Sequence, residues 1–191
     1  LNVEFSKKIM PIASFEPNGI GYTFSLRFLI EDKSCNHVES EEAEIFISDA
    51  IHVLQQGGFR ITSTRIQVIR ALAETRSALS PNLIRERIAD SGGRIDLVSV
   101  YRILQTLLDV GLVHHIGIVD GYYACRSDHE GGNYAEHLVC RVCGCVAEVG
   151  MPIEVSKEMS NRASTQGFET AELHVEILGV CRHCVGKQDG G

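Results

Sequence analysis

The 191-residue chain has no apolar run near the roughly 20 residues that cross a bilayer as a helix, which excludes a helical membrane span within it. It also lacks signal-peptide features and the regular cysteine spacing of a secreted disulfide framework. We therefore expect a reducing, cytoplasmic setting in which thiols stay available to metal. There is no Gly-rich phosphate loop, no H-E-x-x-H helix and no G-x-S-x-G elbow, so the motif-bearing enzyme classes drop out and no enzyme activity is expected. Lysine is missing between residues 50 and 125, where eight arginines stand against six acids. The whole chain carries a net charge of −7, with 4 basic and 9 acidic residues over 1–49 and 6 and 10 over 126–191, so it is not a protein coated in nucleic acid. Only the middle segment is positive, and arginine's planar fork suits phosphate and guanine. The chain opens on Leu1 rather than methionine, as a fragment would.

The cysteines that are present are grouped. Cys140 and Cys143 form one C-x2-C hook, and Cys181 and Cys184 form another. Each hook places two thiolates on one side of a tight loop, and two hooks complete the tetrahedral sulfur cage of a closed structural zinc site. Cys35, with His37 nearby, has no further ligand close to it in sequence and is read as an unpaired tail cysteine. Cys145 is left over as a spare thiol beside the first hook.

Residues 1–43 hold no lasting helical or strand period, contain Pro11, Pro17, Gly19 and Gly21, and run into the acidic stretch Glu39, Glu41, Glu42, Glu44. They read as a loosely structured extension, with a strand conceivable over Tyr22 to Ile30. A helical period then begins: Ile47, Ile51 and Leu54 share a face before Gly57-Gly58. Thr62 caps a second helix with Ile66, Ile69, Leu72 and Ala73 inward, and Ser80-Pro81 opens a third that buries Leu83, Ile84 and Ile88. Asp96 caps a fourth helix, with its apolar stripe at Leu97, Val100, Leu104, Leu107 and Leu108 and its polar face at Ser99, Arg102, Gln105 and Thr106. Such a face either enters a major groove or is simply solvated. Leu112 to Ile118 and Tyr122 to Cys125, joined by Val119-Asp120-Gly121, read as a hairpin. Short helices followed by a hairpin are the parts of a winged helix. Beyond Gly131-Gly132 the pattern becomes strand (Leu138 to Val149), helix (from Pro152, with Val155, Met159 and Ala163 on one face) and strand (Leu173 to Val180). The expected fold is α+β: a winged-helix domain at 44–127, a hinge at 128–133, a small α/β dimerisation domain at 134–186 and a tail at 187–191.

Four segments in this order resemble the ferric uptake regulator family of metal-responsive repressors over roughly residues 45–185: Thr62-Ser63-Thr64-Arg65, Ser99-Val100-Tyr101-Arg102-Ile103-Leu104, His137-Leu138-Val139-Cys140-Arg141-Val142-Cys143-Gly144 and Gly179-Val180-Cys181-Arg182-His183-Cys184. The resemblance implies a homodimer with structural zinc in each C-terminal domain and a regulatory metal site at the hinge. In the zinc uptake regulator branch, the matching regulatory positions are His114, Cys125, His137 and Glu148, with His129 as the alternative histidine. A thiolate such as Cys125 is a soft ligand that favours zinc over iron or manganese. Read without the family, His114 is strand decoration, Cys125 a small buried hydrophobe and Glu148 a surface carboxylate. The family's peripheral site is degraded, with Tyr134 where histidine is common, although Glu136, Glu154 and His174 remain as candidate ligands. The resemblance further implies that Arg65, Ser99, Tyr101 and Arg102 contact operator DNA.

The resulting expectation is a zinc-responsive repressor of zinc uptake genes that binds double-stranded operator DNA as a homodimer, with structural zinc and regulatory zinc. Iron, manganese or peroxide sensing is the alternative within the family, with iron or manganese at the regulatory site. A thiol redox protein using Cys143 and Cys145 is the alternative outside it.

Overall fold

The computed structural model describes residue 35 and residues 38–126, 135–171 and 173–185. The strand read over Tyr22 to Ile30, together with His37, His129 and Tyr134, lies outside them.

Helix α1 spans Ser40–Gln56, so it starts inside the acidic run assigned above to the extension. Glu41 and Glu42 occupy its first turn, where carboxylates meet the positive end of the helix dipole. Ala43, Ile47, Ala50 and Leu54 recur every three or four residues and are buried along one stripe. On the outer side Glu44 pairs with Arg70 at 2.6 Å, and Glu42 reaches Arg76 at 2.7 Å and Arg126 at 3.2 Å.

Helices α2 (Ser63–Ala73), α3 (Pro81–Asp90) and α4 (Leu97–Asp109) begin at Thr62, Ser80 and Asp96, whose side chains accept the amides of Arg65, Leu83 and Ser99. Helix α4 stops where Gly111 takes a φ of +73°, a left-handed turn open to glycine without strain, which lets the Leu112 amide reach back to the Leu107 carbonyl at 2.9 Å. Leu54, Leu72, Ile84, Ile88, Val100, Leu104 and Leu107 interlock as the core of this half, each no more than 2% exposed. Leu83 stays outside that core because Ile84, one position on, takes the inward face of the short α3 helix.

Strands β1 (Val113–Ile116) and β2 (Gly121–Ala124) pair antiparallel and form the wing. A 3-10 turn over Gly117–Val119 joins them, and Asp120 closes it with a φ of 46°. This turn shortens the strand expected to run to Ile118.

The second half is a three-stranded sheet in the order β4-β3-β5, with β3 (Ala135–Cys140) antiparallel to β4 (Val146–Gly150) and parallel to β5 (Val175–Gly179). Helix α5 (Ile153–Thr165) connects β4 to β5, and the four-residue α6 (Arg182–Val185) carries Cys184 of the last hook, with Cys181 just before it. An apolar plug of Ile116 and Tyr123 from the wing with Val139 and Val146 from the sheet joins the halves. Backbone bonds reinforce it, with the Val146 amide donating to Arg76 at 2.7 Å. Ile153, Val155 and Met159 of α5 and Ile177 and Leu178 of β5 remain exposed.

Candidate metal centres and nucleic-acid face

Three strands converge at the seam between the halves. The β3–β4 register sets His137 opposite Glu148, while β1 brings His114 in from the wing. The His114 and His137 ring centroids lie 4.8 Å apart, and their Nε2 atoms stand 3.3 and 3.5 Å from the same Glu148 oxygen, Oε1. One ligand atom from each residue lies within 4.8 Å of the other two. His137 is 5% exposed, and the Glu148 carboxylate is the group its Nε2 faces. Burial would raise the Glu148 carboxyl, but His137, the Arg126 amide and His114 outweigh it and hold the group below the ordinary carboxylate range. An ionised, buried carboxylate facing two imidazole nitrogens is a donor set suited to a divalent cation.

Cys125 directly follows β2, its amide donating to the Leu112 carbonyl at 3.0 Å. The following residue, Arg126, gives its amide to Glu148 Oε2 at 3.1 Å. The structure therefore brings together three of the four expected regulatory residues and leaves the Cys125 thiol outside the 4.8 Å group. Arg126 was not anticipated; its guanidinium also donates to the Ala73 and Thr75 carbonyls and fastens the end of the wing to the helical half. Glu136, Glu154 and His174 form no such group among the described residues.

The hook cysteines meet in one cluster, but with additions. One group of four ligand sulfurs comprises Cys35, Cys143, Cys181 and Cys184, and a second comprises Cys140, Cys143, Cys145 and Cys181. The reading of Cys35 as an unpaired tail cysteine is thus corrected: its Sγ lies 3.2 Å from that of Cys143 and 3.6 Å from that of Cys181. Nothing local could have revealed this, because 108 residues separate Cys35 from Cys143. Cys145 is likewise part of the cluster and not a spare.

The six thiols are electrostatically unequal. Burial would raise the Cys140 thiol, but amides of Cys181, Cys143 and Val142 pointing at its sulfur bring it down to about 6. The Cys181 amide makes the closest described of these contacts, at 3.2 Å. Burial and neighbouring thiols push Cys35 up to about 11 and raise Cys145 and Cys184 as well. Crowded thiols cannot all ionise side by side without a cation, and zinc is the ion that all-sulfur tetrads suit.

Helix α4 presents an exposed outer face. Tyr101 is 49% exposed and Arg102 is exposed beside it. Ser99 is engaged in the helix cap, its hydroxyl donating to Asp96 at 2.6 Å. Arg65 is partly buried, donates to the Arg60 carbonyl and lies 5.8 Å over the Phe59 ring, so it braces the start of α2.

Comparison with known proteins gives a consistent set. The model of the Ferric uptake regulator family matches residues 56–178, more than half of the chain. A Peroxide-responsive repressor PerR of Staphylococcus aureus (strain Mu50 / ATCC 700699) is 27% identical over 150 residues, covering 78% of this chain and 99% of that protein. Among solved structures, a zinc uptake regulator complexed with zinc and DNA superposes with a TM-score of 0.66 at 25% identity, over 77% of this chain and 97% of that one. The holo form of a protein called XcZur shares the fold with a TM-score of 0.63 at 22% identity, over 74% of this chain and 98% of that one.

Proposed function

We propose, from the premise that this chain belongs to the ferric uptake regulator family and is a metal-responsive transcription regulator, that its signal is zinc and that it represses zinc uptake genes. The observation that carries the reading is the position of the His114, His137 and Glu148 donors. They come from the wing and from the sheet, so a cation held there supplies the positive charge that ties one half to the other. Cys125, next in sequence to the residue that holds Glu148, is the soft ligand that in this reading favours zinc. The likeness to a regulator described as complexed with zinc and DNA supports this choice.

In this reading α4 enters the major groove, Tyr101 contacts bases and Arg102 takes a base edge or a phosphate. Two copies bind one operator. The exposed edge of β5 and the uncovered apolar side of α5 support pairing between copies, since an open strand edge and an uncovered apolar face both gain by it. Metal and DNA then strengthen each other's binding by the same coupling free energy. No catalytic step is assigned to the chain, and a cytoplasmic location is part of the proposal; no helix among the described residues is long and apolar enough to cross a membrane.

A second reading has its own support. Two imidazoles and one carboxylate, without the thiol, also suit iron or manganese, and the Peroxide-responsive repressor PerR is among the similar proteins. Titrating operator binding of the purified full chain against zinc, ferrous iron and manganese decides between them. Zinc is expected to act at the lowest free concentration; a response to ferrous iron or manganese at lower concentration, with loss of binding after peroxide, replaces the zinc reading by the second.

A further inference from the structure

The hook spacing accounts for four thiols, yet six gather. The two groups of four share two members, Cys143 and Cys181, with Cys35 and Cys184 completing one and Cys140 and Cys145 the other. Two tetrahedra joined along an edge have this connectivity. A tetrahedron with zinc–sulfur bonds of about 2.3 Å has edges of about 3.8 Å. The sulfur separations along the shared edge and from it to Cys35 are 3.7, 3.2 and 3.6 Å, all within reach of such an edge.

We propose that Cys35, Cys140, Cys143, Cys145, Cys181 and Cys184 hold a two-zinc thiolate cluster, with the Cys143 and Cys181 sulfurs bridging both ions. Each thiol gives its proton to solvent as the ions bind. Six thiolates around two dications leave the same residual negative charge as four around one, so the larger cluster adds no net charge to a half-buried site. A single ion in the tetrad of the two hooks would instead leave the buried Cys145 thiol and the partly buried Cys35 thiol beside it. The sources of the ligands matter too. Cys35 precedes α1, Cys140, Cys143 and Cys145 lie at the β3–β4 turn, and Cys181 and Cys184 lie in the link after β5 and in α6. The cluster therefore ties the residue that precedes α1 to the second half, a link that the two hooks cannot make alone.

The proposal is independent of which metal the seam site senses, and its test distinguishes the two. The full chain is loaded with cadmium-113 under reducing conditions and examined by cadmium NMR. Cadmium at the seam has nitrogen and oxygen donors and resonates away from sulfur-only sites. Two tetrathiolate resonances per chain, split by coupling through shared sulfur, are expected. Cys35→Ser and Cys145→Ser should each abolish the splitting and lower the tightly bound metal by one ion per chain. Cys35 lies outside the helical core, so its variant retains the fold. A single tetrathiolate resonance in the parent protein, or two without mutual coupling, overturns the proposal, as does splitting that survives the Cys35→Ser change. A disulfide between Cys35 and Cys143 would give the single-resonance outcome.

Discussion

At the scale of single residues, four side chains make separable predictions. Asp96 caps α4 through the Ser99 hydroxyl and amide, and these bonds lower its carboxyl below the ordinary value of 3.8. A carboxyl depressed by folding stabilises fully above its unfolded pKa and loses that contribution as pH falls through the folded one. The melting-temperature advantage of the parent over Asp96→Asn should be constant near neutrality and shrink as pH falls below about 4; a constant difference down to strong acid would disprove the charged cap. Arg102 stands exposed on the same helix, so Arg102→Ala should leave melting unchanged and weaken operator binding by about 1–3 kcal/mol if it reads a base edge, less and without sequence preference if it touches phosphate. Binding by the variant equal to the parent's across several salt concentrations would remove α4 as the reader. At the seam, Glu148→Ala removes the one carboxylate faced by both imidazoles and should shift the metal response of DNA binding without unfolding either half. Cys125→Ser exchanges a soft thiolate for a poor neutral ligand and should raise the zinc needed while leaving the cysteine cluster loaded. If Cys125→Ser responds to zinc like the parent, the thiol takes no part in sensing.

Between elements, the connection that stands out is the clamp on the wing. Both Glu176 oxygens, on β5, accept amides at the wing turn, from Gly117 and Ile118, each at 2.8 Å. Charge-assisted bonds of this kind contribute roughly 1.5–3 kcal/mol when well formed, and solvent exposure reduces that here. Glu176→Ala should therefore accelerate hydrogen exchange at the Gly117 and Ile118 amides while the core amides of α4 stay protected. Equal acceleration throughout the chain would show instead that the residue supports global folding. Because the clamp joins the wing to the sheet that also supplies His137 and Glu148, its loosening should weaken the metal response as well.

For the whole molecule, the cysteine cluster and the small plug of Ile116, Tyr123, Val139 and Val146 hold together the parts that the helical core does not reach. The second half has few fully buried apolar side chains of its own, so metal binding there acts as folding free energy. Cys140→Ser should release zinc and lower the melting temperature of the second half, with the helical core largely retained. A variant with the parent's zinc content and melting profile would exclude Cys140 as a ligand.

Local chemistry made much of this readable in advance. Thr62, Ser80 and Asp96 cap the helices they announce because a cap depends on residues three positions away, and the two hooks declare metal because each is a single tight turn. The α+β class followed from the change of period along the chain. The sequence by itself thus determined the elements, their order, the family and the thiol hooks. Only the tertiary structure decided what those elements share. It set His137 opposite Glu148 through the β3–β4 register, brought His114 across from the wing, fastened Arg126 and Glu176 to distant backbone and carried Cys35 into the cysteine cluster. Those contacts join residues from about ten to more than a hundred positions apart, and no local periodicity encodes them; they exist only once the chain has packed its helices and sheets together.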